Sequence, residues 1–354
     1  MELSEKITIL GAGHQGMAMA AHLSINGVEC YLWNRSHEHI KEIVGNNEII
    51  CKGILNEKVR IKRVSSHISE VLQKNIMITT PSSAHRDLAV MLAPYVDESY
   101  TVILNPGRTF GSLDFIYWLK KAGCLSLPVV AETQTIIYTC RKENENTVRV
   151  YALKNDIPIS ALNPKNLPQV MQALPECIRN YFVPTENYLK TSLGNVGMVL
   201  HCAPVLMNVG WIENHKTKFE YYYDGISESI SNVLEKIDAE RLAVASAMGC
   251  QVESLIGWLQ RTYHTKGKNL YEHLQSNIYY RGIDAPQDIH HRYIEEDVPN
   301  GLVALESAGE YMGVRTPVTT TIISLANYTM NCNYREIGRN YSTLKKMEDI
   351  YNGR

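Results

Sequence analysis

None of the eight cysteines (Cys30, Cys51, Cys124, Cys140, Cys177, Cys202, Cys250 and Cys332) lies in a C-x-x-C pair or at metal-ligand spacing. That removes a zinc ribbon or dithiol redox centre from consideration and predicts no metal. Scattered thiols fit a reduced, cytoplasmic protein. Charge of one sign is also missing. The 35 Lys and Arg nearly balance the 37 Asp and Glu, for a net charge of −2, which offers no electrostatic reason for a nucleic-acid or anionic-membrane partner. No apolar run is long enough to span a bilayer. No signal peptide is read before the fold, since Met1 to Lys6 is mostly polar and a strand follows at once. Internal repeats and low-complexity linkers are absent too.

What the chain does have is length and apolar content. Its 354 residues, 45% hydrophobic and 20% charged, suit two globular domains, each with its own core. Ile7 to Leu10 is a β-rich run, three glycines follow, Met17 to Leu23 reads as a helix, and Val28 to Trp33 reads as a second strand. Strand, turn, helix and strand within about thirty residues make one βαβ unit. The alternation continues through Val59–Lys62, Asn75–Thr80, Ser82–Leu92, Thr101–Leu104, Ser112–Ala122 and Leu127–Ala131. Thr135–Cys140 and Thr147–Leu153 read as a later pair of strands, a hairpin candidate. Such alternation predicts an α/β domain with a doubly wound parallel sheet.

Near residue 185 the strand runs stop. Helix-period segments follow at Leu193–Asn214, Ser227–Met248, Val252–Thr262, Gly301–Gly313 and Pro317–Asn331, the last opened by Thr316 and Pro317 as cap and first-turn proline. The expected organisation is a Rossmann-type domain over residues 1–184 and an all-helical domain over 185–354, packed without a flexible linker around a cleft.

Gly11-Ala12-Gly13-His14-Gln15-Gly16 is a G-x-G-x-x-G placed between a strand and a helix. In that context Gly11 permits the tight turn, Gly13 lets backbone approach a pyrophosphate, and Gly16 lets helix and strand pack closely. The helix N-terminus faces the phosphates with free N–H groups. A dinucleotide is therefore the expected ligand. The second strand ends in Asn34-Arg35-Ser36 instead of the Asp or Glu that binds NAD ribose hydroxyls. A guanidinium there can hold a 2′-phosphate, so NADP(H) is expected over NAD(H), which remains the second candidate. Further along the same sheet edge, Thr80-Pro81-Ser82, Asn105-Pro106-Gly107-Arg108 and Glu132-Thr133-Gln134 are expected to form a polar rim around the nicotinamide.

In the helical half, Gly194, His201 and Asn208 recur at seven-residue spacing, which places them on one face of a continuous helix. Pro204 cannot donate to the Leu200 carbonyl, so a kink is expected beside the histidine. From spacing alone His201 reads equally as a cleft-lining acid/base or as a satisfied core histidine. Asp297, with Pro299 just after it, reads as a helix N-cap or as a functional acid. Tyr221-Tyr222-Tyr223 reads as packing between helices or as pocket wall.

Leu193-Gly194-Asn195, His201 and Pro204, with Arg292 and Asp297-Val298-Pro299-Asn300-Gly301-Leu302-Val303, resemble the octopine/nopaline (opine) dehydrogenase family. Thr80-Pro81 with His85, and Glu132-Thr133 before Cys140-Arg141, fit it as well, so the resemblance runs over nearly the whole chain. It implies reductive condensation of an amino acid with a 2-oxo acid such as pyruvate. In that family a His–Asp pair acts at the imine carbon, which implies His201 and Asp297, and an arginine just before the aspartate binds a substrate carboxylate, which implies Arg292. Asn195 and Asn208 are expected to line the substrate site. The residue types suit the chemistry. Loss of water from a carbinolamine needs a proton donor and acceptor near neutral pH, and an aspartate on the other ring nitrogen fixes the tautomer. The competing readings are a ketopantoate or 3-hydroxyacid type reductase, for which Lys190 would be the nearest lysine, and a non-catalytic NADP(H)-binding regulator. Small-molecule partners and a homodimer complete the expectation.

Overall fold

The computed structural model describes residues 5–214 and 217–352. The termini of both expected domains, Met1 and Arg354, lie outside the described residues. Two compact units emerge from the described residues, one of 5–107, 111–191 and 347–352, the other of 108–110, 192–214 and 217–346. The division at Thr191/Ser192 lies slightly beyond the 184/185 boundary read from the sequence.

Twelve strands build the first unit: β1 (Lys6–Leu10), β2 (Glu29–Trp33), β3 (Glu48–Gly53), β4 (Glu57–Arg60), β5 (Arg63–Ser65), β6 (Asn75–Ile78), β7 (Thr101–Leu104), β8 (Val129–Thr133), β9 (Tyr138–Lys142), β10 (Thr147–Leu153), β11 (Ile157–Ala161) and β12 (Phe182–Pro184). The main sheet runs β12-β11-β8-β7-β6-β1-β2-β5. From β8 to β5 it is parallel, and β11 joins β8 antiparallel. Its central strands are apolar on both faces because helices cover both faces. The strand order reverses between β1 and β6. Connections from these two strands leave on opposite sides and open a crevice at their carboxyl ends.

A second, four-stranded sheet, β4-β3-β10-β9, was not expected from the sequence. Of the expected Val59–Lys62 strand, Val59 and Arg60 belong to β4 of this sheet, and the chain leaves it before β5 enters the main sheet. The Thr147–Leu153 run does pair antiparallel with its predecessor, with an irregularity between Val150 and Ala152. The helix His14–Ile25 touches strands of both sheets. That explains why Met17 to Leu23 is buried without a polar face: a helix covered on all sides has none. Its one polar core residue, His22, is satisfied by the Tyr138 hydroxyl, 3.1 Å from Nδ1.

The second unit is helical throughout its described elements. Glu228–Ala247 is capped by Ser227 and Leu255–Tyr263 by Ser254, each side chain accepting from a first-turn amide. The helix Pro317–Met330 departs from expectation. Thr316 makes no capping bond, and Glu240 instead accepts from the amides of Val318 and Thr319 at 2.8 and 2.9 Å. Arg241, fully buried against Asp238, donates to the carbonyls of Leu193 (2.6 Å) and Glu253 (2.7 Å). It thereby ties down the turn that precedes His201. Among the described residues no helix is long and apolar enough to cross a membrane.

Candidate active site

The glycine turn joins β1 to the helix His14–Ile25, and its three glycines differ in surroundings. Gly11 has a φ of +112°, a left-handed conformation that disfavours side chains, and a Cβ there would press on Thr80 at 2.8 Å. A Cβ on Gly16 would overlap the Gly11 carbonyl oxygen at 1.7 Å, so helix and strand meet at this point. Gly13, by contrast, would meet nothing within 4 Å. It faces open space, as a phosphate cradle requires. Two buried polar atoms nearby in the first unit, Thr80 Oγ1 and Asn105 Nδ2, have no protein hydrogen bond among the described residues. Open backbone and orphaned polar groups fit a bound dinucleotide.

Other residues placed at this edge by the sequence are held by the protein. The Ala12 amide donates to Asn34 Oδ1 (3.1 Å), and Asn34 Nδ2 donates to the Ser36 carbonyl (3.0 Å), so Asn34 buttresses the glycine turn with both ends of its amide. His14 Nδ1 accepts from the Lys142 amide (2.6 Å), and Gln15 Nε2 donates to the Tyr138 carbonyl (3.3 Å), which turns both side chains toward β9. Glu132 is fully buried. Its carboxylate accepts from the Ser112 amide and the Thr191 hydroxyl, each at 2.8 Å, so it anchors the start of the helix Gly111–Lys121. Asn105 Oδ1 accepts from Thr133 at 2.9 Å, and the Asn105–Pro106 peptide is cis. Pro81 is exposed and Ser82 buried. Arg35 and Ser36 border a cavity of about 230 Å³ with Trp33, Thr80, Asp87 and Met91. The Arg35 guanidinium is mostly exposed and stands 3.6 Å from Asp87.

The second unit assembles a different set. The continuous helix expected over Leu193–Asn214 is broken into Tyr188–Leu193, Gly197–Met207 and Val209–Ile212. Gly194 therefore does not share a helical face with His201. Asn208 is the C-cap of the middle helix, and its Nδ2 donates to the carbonyls of Pro204 and Gly225, both at 2.8 Å, so it closes the helix end. Asn195 lies in the break. Its Oδ1 accepts from the Gly197 amide (3.1 Å) and from Arg108 Nη1 (3.4 Å), and its Nδ2 donates to Thr109 Oγ1 (3.3 Å).

His201 Nδ1 lies 2.7 Å from Asp297 Oδ2. Asp297 precedes a single π-helical turn, Val298–Leu302, and makes no capping bond, so the N-cap reading is corrected in favour of an acid hydrogen-bonded to His201. Turns of this kind re-aim side chains. Gly301 makes this one fit, since a Cβ there would stand 2.6 Å from Met198 of the His201 helix. His201 Nε2 makes no protein hydrogen bond among the described residues, and the His201 side chain keeps 12% exposure while that of Asp297 keeps 1%. The Tyr293 ring stacks on the imidazole at 3.9 Å between centroids. Burial lowers the His201 pKa below its ordinary value of 6.5. Asp297 opposes that shift, while Arg292 and Arg108 add to it. The resting imidazole is therefore neutral near pH 7, with Nδ1 held by the aspartate and Nε2 open.

Of three further residues in this cluster, the sequence offered Tyr221 only as helix packing or pocket wall, Arg108 only as part of a polar rim, and Glu296 not at all. Tyr221 donates from its hydroxyl toward the carbonyls of His201 (2.7 Å) and Leu200 (3.2 Å), and the latter is the acceptor that Pro204 cannot serve. The proline signalled an unserved carbonyl, but nothing in the sequence joined it to Tyr221. Arg108 donates from Nε to Glu296 Oε1 at 3.3 Å. Glu296 also lies 3.8 Å from Arg292 Nε. No periodicity marks residues this far apart in the chain.

Comparison with known proteins agrees with this architecture. Residues 184–330 match the family described as NAD/NADP octopine/nopaline dehydrogenase, alpha-helical domain, and residues 6–105 match NAD-dependent glycerol-3-phosphate dehydrogenase N-terminus. An opine dehydrogenase from Arthrobacter sp. (strain 1C) is 34% identical over 97% of this chain and 95% of its own. The fold is shared with octopine dehydrogenase solved with NADH and L-arginine (TM-score 0.76, 19% identity, 99% and 98% of the two chains). It is shared too with NADP+-bound yersinopine dehydrogenase (TM-score 0.80, 13% identity, 100% and 99% of the two chains). With a nucleotide-type sheet, a helical unit carrying a His–Asp pair, and a relative of this identity along its whole length, the chain belongs to the opine dehydrogenase family of NAD(P)-dependent oxidoreductases.

Proposed function

We propose that the protein condenses the amine of an amino acid with the carbonyl of a 2-oxo acid such as pyruvate and reduces the product to an N-(1-carboxyalkyl) amino acid, with NADPH preferred. The observation that carries this reading is the 2.7 Å contact between His201 and Asp297 with Nε2 left open. A neutral imidazole whose Nδ1 proton is held by a carboxylate can accept a proton at Nε2 from the attacking ammonium or amine. It returns one to the hydroxyl that leaves the carbinolamine as water. Asp297 Oδ1 is buried and accepts no hydrogen bond among the described residues, so its carboxylate charge is directed at the imidazolium formed in between. Arg292, half exposed beside the dyad, is positioned in this reading to hold a substrate carboxylate. Nicotinamide supplies the hydride when bound. Gly11, Ala12, Gly13 and Gly16 would hold its pyrophosphate, and Thr80 and Asn105 would offer their unpaired polar atoms.

The preference for NADPH rests on the end of β2. The strand itself ends without the acid that would bind ribose hydroxyls, and the one carboxylate on this cavity, Asp87, faces Arg35. Asn34 is occupied in bracing the turn, and Arg35 and Ser36 are left for the phosphate. The Arg35–Asp87 pair is exposed, so it is weak and readily exchanged. A ketopantoate-type reductase would draw on a lysine, but Lys190 is exposed. A regulator would have no use for a buried His–Asp pair.

The test is oxidation of NADPH, followed by absorbance, with pyruvate and a pool of amino acids together and then with each alone. Oxidation that requires both supports condensation. Oxidation with the oxo acid alone would replace this reading with a simple keto-acid reductase.

A further inference from the structure

The reaction just proposed yields a product with two carboxylates, and one arginine at the dyad leaves the second without a partner. The geometry points to Arg108 as the second carboxylate-binding residue, taking one α-carboxylate of the secondary-amine dicarboxylate end-on through Nη1 and Nη2 while Arg292 takes the other. This rests on the condensation reading for the identity of the ligand, but on the structure for the site.

Four observations support it. First, the guanidinium is largely sequestered, with the side chain 14% exposed, and an arginine seldom enters such surroundings without a partner for its fork. Second, its protein contacts use only part of the fork. Nε donates to Glu296 and Nη1 makes one long contact, 3.4 Å, with Asn195. Nη2 makes no hydrogen bond among the described residues, yet it is not among the fully enclosed unpaired atoms. The Nη1/Nη2 end, the edge that matches a carboxylate with two parallel bonds, is thus available. Third, the guanidinium and the imidazole are neighbours across Gly197. A Cβ there would lie 2.8 Å from Arg108 Nη1 and 3.4 Å from His201 Cε1, so the missing side chain is what lets the two groups come this close. Fourth, Arg108 holds a φ of +63°. That left-handed conformation is unfavourable for a residue with a Cβ and concentrates at functional positions.

Charge agrees with this assignment. Glu296 lies between the two guanidiniums, contacting Arg108 at 3.3 Å and Arg292 at 3.8 Å. With Asp297 the cluster holds two cations and two anions, so a dicarboxylate can enter without meeting net repulsion, and both arginines keep donors for it. In the relay of roles, Arg108 orients substrate and His201 moves the proton.

The test uses iminodiacetate, the smallest secondary-amine dicarboxylate, titrated calorimetrically into the protein saturated with NADP+ and, separately, NAD+. N-methylglycine, which lacks the second carboxylate, is the control. Loss of a charge-assisted pair should make Arg108→Gln bind iminodiacetate about ten- to a hundredfold more weakly and narrow its margin over N-methylglycine. Arg108→Lys, which keeps the charge and loses the fork, should fall between wild type and Arg108→Gln. Binding by a folded Arg108→Gln within about twofold of wild type overturns the assignment. If that variant does not fold, equal binding by Arg108→Lys does the same, and so does wild type that ignores iminodiacetate. The KM values for the oxo acid and the amino acid, compared between wild type and Arg108→Lys, identify which carboxylate is held. Turnover that needs both substrates, together with unchanged iminodiacetate binding in Arg108→Gln, would sink Arg108 alone. Weakened binding without any joint turnover would keep the carboxylate site and sink the condensation reading.

Discussion

His201 and Asp297 stand ninety-six positions apart in the chain and 2.7 Å apart in space, Nδ1 to Oδ2. The contact depends on two backbone features. One is the helix Gly197–Met207, which starts after a break. The other is the π-helical turn that follows Asp297 and packs through Gly301 against Met198. If the pair is the proton-transfer device proposed above, its removal should affect chemistry and spare cofactor binding. His201→Ala and Asp297→Ala are each expected to lower kcat by about a hundredfold or more, with NADPH affinity, read by fluorescence titration, unchanged. A variant with near wild-type turnover would remove that residue from the mechanism.

The acid side of the pH profile should report the imidazole. Burial holds the His201 pKa below 6.5, so the acid limb of kcat/KM is expected below pH 6.5. Asp297 raises the histidine pKa, so Asp297→Asn should move the limb further down. Arg292 lowers it, so Arg292→Gln should move the limb up toward 6.5. The same histidine contributes to stability with a matching sign. The unfolded chain takes the proton more readily, so its contribution is complete above pH 6.5 and declines as pH falls through 6.5 toward the lowered folded value. Limb shifts of the opposite sign in either variant would show that another group titrates.

Tyr221 holds the backbone of the histidine's own turn, and its hydroxyl answers the carbonyl that Pro204 leaves without a donor. Tyr221→Phe is expected to cost about 1–3 kcal/mol of stability, the range for a buried polar group left unpaired, read as a lower Tm. It should also reduce kcat more than it changes either KM. Unaltered stability would mean that water replaces the hydroxyl.

Cofactor choice can be tested by one substitution. Arg35→Ala should raise KM for NADPH far more than for NADH, because only the former carries the 2′-phosphate. Equal effects on the two would return the preference to NAD(H).

Much of the first unit could be read along the chain. Its central strands are short continuous apolar runs, and the glycine turn sits where strand changes to helix, so period and punctuation were sufficient for β1, β2, β6, β7 and β8. The small sheet was harder to see. β3 is joined to β10 by pairing between residues such as Cys51 and Val148, a relation that leaves no local pattern. In the helical unit the seven-residue recurrence of Gly194, His201 and Asn208 suggested one continuous helix. The turn around Asn195, held by Arg241 and Asn195's own side chain, breaks it.

The sequence by itself determined the class of protein. The glycine turn, the period change near residue 185 and the residues around His201 and Asp297 are local or nearly local, and each carries its meaning wherever the chain takes it. Tertiary structure alone decided what those residues touch. It gave Asp297 to His201 instead of to a helix cap, assigned Asn34, Glu132 and Asn208 to bracing the backbone, and set Arg108 beside Gly197 and Glu296. The physical reason is that a side chain's role depends on which donors, acceptors and charges surround it once water is excluded, and those neighbours come from segments whose spacing along the chain carries no information about their distance in space.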